Sequence, residues 1–339
     1  MILPRRHVIP GHQSNAGRDF LARRQFITGA VAVAALVPAM PATPQSILGQ
    51  VAPEDATSVW AAIQGAGPPA RPSVAPPAIQ AVGPSPSPPG VPPPWRRNAA
   101  AVPPVDGRPW ITLVIDDMGV THPYTTQAMA LPGPLTLAWF PFARDLPAKI
   151  SAAAARGHEA MLHMPMQAYS DSIRQTGPDP LRIDLPPEVN RALLREAIAA
   201  VPDSIGVNNH MGSVATLDPM LMALVAREVA DHGMLFLDSV VVPHSVALGC
   251  AERIGVPAAA RDVFIDNVAK PQVIWDQLAA TETFARRYGH AIAIAHPRPH
   301  TLAALEVWLP TLAGKGFALW PLSATVAWRN DLDPARIPT

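Results

Sequence analysis

The chain has 339 residues, with 26 Lys+Arg against 26 Asp+Glu for a formal net charge of +0, 42 prolines and one cysteine. A neutral chain without a basic patch excludes nucleic acid as a partner class, and the lone Cys250 excludes an internal disulfide. Two unlike parts make up that neutrality: residues 108–328 hold 16 Lys+Arg and 20 Asp+Glu, a net of −4, whereas residues 1–107 hold 8 and 4.

The basic part comes first. Arg23-Arg24-Gln25-Phe26-Ile27 resembles a twin-arginine export signal, followed by an apolar stretch over 27–40 and a small-residue cleavage site at Val37-Pro38-Ala39. That stretch falls short of the ~20 apolar residues a bilayer span needs. Residues 1–42 therefore read as an export signal, which places the protein in the periplasm or outside the cell. Over 68–104, 14 of 37 residues are proline. Such a stretch favours loose polyproline-II conformations over a packed core, so 43–107 reads as a disordered spacer.

Residues 108–328 alternate short apolar runs with amphipathic segments. Strands are expected over 110–115, 135–140, 159–162, 205–208, 234–237, 291–295 and 317–321. Helices are expected over 150–156, 187–200, 219–232, 246–254, 271–288 and 301–313. Strand–helix alternation implies an α/β fold with right-handed crossovers. About seven mainly parallel strands suit a deformed (β/α) barrel better than an open sheet. Residues 329–339 form a tail.

The apolar runs end on chemistry. Residues 111–118 close on Asp116-Asp117, and later runs close on His163, His210, Asp238, Asp262 and His296. Strands that deliver Asp and His at their carboxyl ends are how α/β barrels assemble active sites. The pattern points to a hydrolase with a metal-type constellation. The chain lacks Gly-x-Gly-x-x-Gly, a Walker loop and the Gly-x-Ser-x-Gly elbow of serine hydrolases.

Ile115-Asp116-Asp117-Met118-Gly119 resembles the Asp-Asp-Gly motif of polysaccharide deacetylases, and Gly157-His158-Glu159 with His163 resembles their second motif. Five further segments together resemble the divergent branch of that family. These are Leu162-His163-Met164-Pro165-Met166, Val207-Asn208-Asn209-His210-Met211-Gly212-Ser213, Leu237-Asp238-Ser239, Ala260 to Asp266 and Ile294-Ala295-His296-Pro297. The resemblance covers roughly 109–325 and implies a deformed barrel, a divalent metal (commonly Zn²⁺) and amide or ester hydrolysis on an acetylated glycan. It also implies Asp117 and His163 as metal ligands and Asp116 as general base. Where better-known members carry a second metal histidine, this chain has Gln167, a poor zinc ligand, so His210 is expected to complete the set. His296 is the candidate general acid, held by Asp262 or Asp238, with Arg261 to steady a carboxylate or oxyanion and Asn209, like its neighbour Asn208, to contact a sugar hydroxyl or form a turn. Two functional readings follow: an exported, metal-dependent deacetylase of an envelope glycan such as peptidoglycan, or a catalytically weak or inactive glycan-binding or envelope-scaffold module on the same barrel.

Overall fold

A computed structural model describes residues 91–103, 106–169 and 176–334. The export signal, the linker up to residue 90 and the last five residues lie outside them. Among the described residues there are nine strands: β1 Trp110–Met118, β2 Thr136–Trp139, β3 Glu159–Met166, β4 Ser204–Met211, β5 Leu235–Asp238, β6 Ala258–Ala260, β7 Val263–Phe264, β8 His290–Ala295 and β9 Ala318–Leu319. Every pairing is parallel, in the order β6-β5-β4-β3-β2-β1-β8-β7, with β9 on β1. The α-helices are α1 Pro94–Arg97, α2 His122–Ala130, α3 Leu146–Ala154, α4 Pro187–Ala200, α5 Pro219–Asp231, α6 Ala247–Ile254, α7 Pro271–Tyr288, α8 Pro299–Trp308 and α9 Leu322–Arg329. None of the described helices is long and apolar enough to cross a membrane.

Only Arg261 and Asp262 separate the two ends of the ladder, so one short segment pairs β5 with its first half and β8 with its second. Counted by position, the ring has the seven places expected of a deformed barrel, with β6 and β7 sharing one of them. Side chains alternate along each strand. Ile111, Leu113 and Ile115 of β1, Leu137 and Trp139 of β2 and Leu162 of β3 pack with the surrounding helices. Val114, Ala138, Met161, Ile292 and Ile294 point the other way and form a second cluster with Trp110, Trp320 and α9.

Helix α9 closes the amino-terminal end of the barrel. The Trp110 indole donates to Thr325 Oγ1 at 2.9 Å, Thr112 meets the same hydroxyl at 2.7 Å, and Ser323 bonds the fully buried Glu159. Residues 94–102, assigned from sequence to the linker, also pack here. Trp95 is buried, Asn98 reaches Ser204 O and Ala100 N donates to Glu159.

Three further differences from the sequence reading have physical causes. Helix α2 is unannounced because His122–Ala130 is mostly Thr, Gln and Ala, with Thr125 and Ala128 as its buried residues. Strands β3 and β4 run on to Met166 and Met211 because they pair with each other past their neighbours, leaving His163 inside a strand. Gly206 permits the close approach of β4 to β5, since a Cβ there would lie 2.4 Å from Leu235 O.

Candidate metal centre

The inward series of each strand continues into the polar groups. Asp116 lies two residues beyond Val114, His163 two beyond Met161 and His296 two beyond Ile294. Period-2 geometry would send Asp117 outward. It does not, because β1 carries a register shift between Ile115 and Met118 and Asp117 adopts φ 57°. Aspartate is among the residues that tolerate this left-handed conformation. A bulge at Asp117, earlier than the Met118-Gly119 turn, thus brings two successive carboxylates to one side.

Asp117, His163 and His210 converge. Asp117 Oδ1 lies 3.3 Å from His163 Nε2 and 3.2 Å from His210 Nδ1, and the two nitrogens are 3.1 Å apart. Bonds of about 2.0–2.1 Å at tetrahedral angles would set ligand atoms about 3.3 Å apart. Asp117 Oδ1 is buried and accepts no hydrogen bond among the described residues, although two nitrogens face it. Three donor atoms aimed at one point, one of them an orphaned carboxylate oxygen, fit a divalent cation. Asp117 is the solvent-facing member, its side chain 27% exposed against 2% for His163.

Behind this triangle, Asn208 is fully buried. Its Nδ2 donates to Asp116 Oδ1 at 2.8 Å, and its Oδ1 accepts from His163 Nδ1 at 2.9 Å. Asp116 Oδ2 carries no hydrogen bond among the described residues. His296 faces the triangle, with Nε2 3.9 Å from Asp117 Oδ2. Its Nδ1 bonds Asp266 Oδ1 at 2.8 Å, while Asp266 Oδ2 accepts from His296 N and Thr301 Oγ1.

Burial and pairing oppose each other throughout. Burial pushes the Asp117 carboxyl up, but His163, His210 and His296 hold it well below the usual carboxylate range. Burial likewise raises Asp266, and His296 and Arg298 bring it net below its ordinary value. For His163 burial acts downward, and Asp116 and Asp117 carry it net upward. His296 is raised in the same way, against burial, by Asp266 and then Asp117.

The remaining candidates serve the frame. Neither Asp262 nor Asp238 holds His296; Asp266 does. Asp262 accepts from Ile292 N at 2.7 Å and pairs with Arg329 at the opposite end of β8. Asp238 accepts from Val240 N and Ser245 Oγ, and burial raises its carboxyl. Arg261 donates to Ser239 O and Val240 O at 2.8 and 2.7 Å, with burial pulling its guanidinium down to about 10. Together they fix Val240 at φ 49°, a conformation uncommon for a β-branched residue. Asn209 accepts from Ser239 N and donates to Met211 O, both backbone atoms. Gln167 Oε1 accepts from Ile183 N at 2.9 Å. Of the aromatics, Trp139 is core, Phe140 packs 4.7 Å from the His210 ring, and Phe142 stacks on Phe140 at 4.8 Å while 40% exposed.

The family model for divergent polysaccharide deacetylases matches residues 113–326. The chain belongs to that family. An uncharacterized protein of Haemophilus influenzae is 35% identical over 202 residues, covering 60% of this chain and 71% of its own. The uncharacterized protein YibQ of Escherichia coli is 32% identical over 224 residues, covering 63% and 68%. A crystal structure of an uncharacterized Agrobacterium tumefaciens protein superposes with TM-score 0.66 at 27% identity, covering 68% of this chain and 94% of that one. The divergent polysaccharide deacetylase match takes in Asp116, Asp117, His163, Asn208, His210, Asp266 and His296. Sequence reasoning gave no role to Asp266 and read Asn208, like Asn209, only as a donor to a sugar hydroxyl or a turn residue. Asp266 follows β7 as Asp117 closes β1, a signal hidden by the nearer Asp262.

Proposed function

We propose that this protein is a metal-dependent hydrolase that, after export, removes acetyl groups from an N- or O-acetylated envelope glycan such as peptidoglycan. The observation that carries this reading is the convergence of Asp117, His163 and His210 around an unpartnered carboxylate oxygen. Membership in the deacetylase family and the exposed Phe142 face beside the site support it. Gln167 would favour a silent glycan-binding module, but its amide is engaged by Ile183 and His210 stands in the third ligand position.

Asp117, His163 and His210 would hold the divalent cation, zinc in our reading. Such a cation supplies Lewis acidity, polarising a carbonyl oxygen and acidifying water. Asp116 takes the proton of the attacking water on Oδ2, the oxygen that Asn208 leaves free. His296 delivers a proton from Nε2 to the departing amine or alkoxide, since Asp266 occupies Nδ1. Phe140 walls the histidines from water, and Phe142 offers an apolar face to a sugar ring.

Full-length protein loaded with Zn²⁺ and mixed with acetylated chito-oligosaccharides or acetylated peptidoglycan fragments is the decisive experiment. Acetate release that is lost in Asp117→Asn is expected. Tight metal retention without acetate release would sink the hydrolase, and a protein that retains no metal would leave only the binding module.

A further inference from the structure

Asn208 touches both halves of the machinery at once, and its amide can do so in one orientation only. The Asn208 NH₂ donates to Asp116 Oδ1 at 2.8 Å. The amide oxygen is thereby turned toward His163 Nδ1 at 2.9 Å. An oxygen there accepts, so His163 carries its proton on Nδ1 and its Nε2 lone pair faces Asp117 and His210. The second Asn208 contact, Nδ2 to Ser239 Oγ at 3.3 Å, anchors the amide plane to the loop after β5. The residue is 0% exposed and paired in register with His163 itself across β3 and β4.

From this geometry we infer that Asn208 is a positioning residue that links the proton-accepting carboxylate to the metal ligand. It fixes the ligand tautomer of His163 and directs proton uptake to Oδ2 of Asp116. The inference rests on the hydrolase reading for its second half alone. The first half concerns metal binding and stands without turnover.

Two substitutions separate the halves. In Asn208→Asp a carboxylate oxygen still accepts from His163 Nδ1, as in the carboxylate–histidine–metal arrangement. The donor to Asp116 is gone, however, and a like charge takes its place. In Asn208→Leu both contacts vanish in a side chain of similar size. Zn²⁺ affinity, measured by competition with a chromophoric chelator on the full-length protein, is expected to stay within about 3-fold of the parent for Asn208→Asp. For Asn208→Leu it is expected to weaken about 10- to 100-fold, the range for a lost ligand-supporting contact. With acetylated chito-oligosaccharide, Asn208→Asp should lower kcat about 100-fold at unchanged KM, the scale of general-base loss. Far-UV circular dichroism and melting temperature verify that both variants fold. Equal Zn²⁺ affinity in Asn208→Leu and the parent would overturn the inference, as would equal weakening in the two variants. Failure of the hydrolase reading would look different: the parent would bind Zn²⁺ and release no acetate, while the affinity order of the variants stood.

Discussion

His296 and Asp266 form a closed unit: the imidazole bonds Asp266 Oδ1 through Nδ1 at 2.8 Å, and the His296 backbone N–H bonds the other carboxylate oxygen at 3.0 Å. The ring is therefore held by both its side chain and its own main chain, with Nε2 left for the site. Asp266→Asn should reduce acetate release about 10- to 100-fold, the range for a lost orienting partner, with KM unchanged. Asp262→Asn, which breaks the contact with Arg329 at the far end of β8, should lower the melting temperature and spare kcat. The reverse pattern in steady-state kinetics would exchange the two roles.

His210→Ala should weaken Zn²⁺ binding by more than about 100-fold, since losing a ligand costs more than losing a supporting partner. The metal content of the purified variant measures this directly. In the parent, Zn²⁺ at 100 times its dissociation constant should add about 2.7 kcal/mol of stability, read as a rise in melting temperature. That rise should be absent in His210→Ala.

Phe142 lies outside the chemistry and beside it, stacked on the ring that abuts His210. Phe142→Ala should raise KM for an oligosaccharide about 3- to 10-fold, on the scale of a lost aromatic contact, and leave kcat alone. Zn²⁺ affinity should be unchanged.

His290 sits at the opposite end of β8, where burial and then Arg329 pull its imidazole down to about 4. Trp110 and Trp328 pack on its ring, and Arg329 Nε donates to its Nε2 at 2.8 Å. The unfolded chain takes up that proton near pH 6.5, but the folded chain holds out until about 4. The unfolded state therefore binds more protons in that window, and stability falls as pH drops through it. Replacing His290 with Gln should flatten this part of the acid limb in urea titrations at pH 7, 6, 5 and 4. An identical pH dependence in parent and variant would refute the assignment.

How much of this was legible in the chain depends on which residue is asked. Asp117, His163 and His210 could be read because apolar runs deliver them toward the carboxyl ends of β1, β3 and β4. Asp266 could not be told from Asp262, because 258–264 changes partner from β5 to β8 midway and a single periodicity does not count through that switch. The bulge at Asp117 was equally hidden: Ile-Asp-Asp-Met carries no glycine to announce a left-handed residue. Asn209 and Asn208 looked interchangeable in sequence. Register decides between them, turning Asn208 inward to the carboxylate and Asn209 onto backbone atoms.

The described chain begins under the barrel floor: Trp95 N reaches Gly233 O, and Ala100 meets Glu159 at the strand starts. The described chain thus enters the fold at the amino-terminal end of the barrel, away from Asp117 at the carboxyl end of β1. That entry point and the opening over Asp117 therefore lie at opposite ends of the strands.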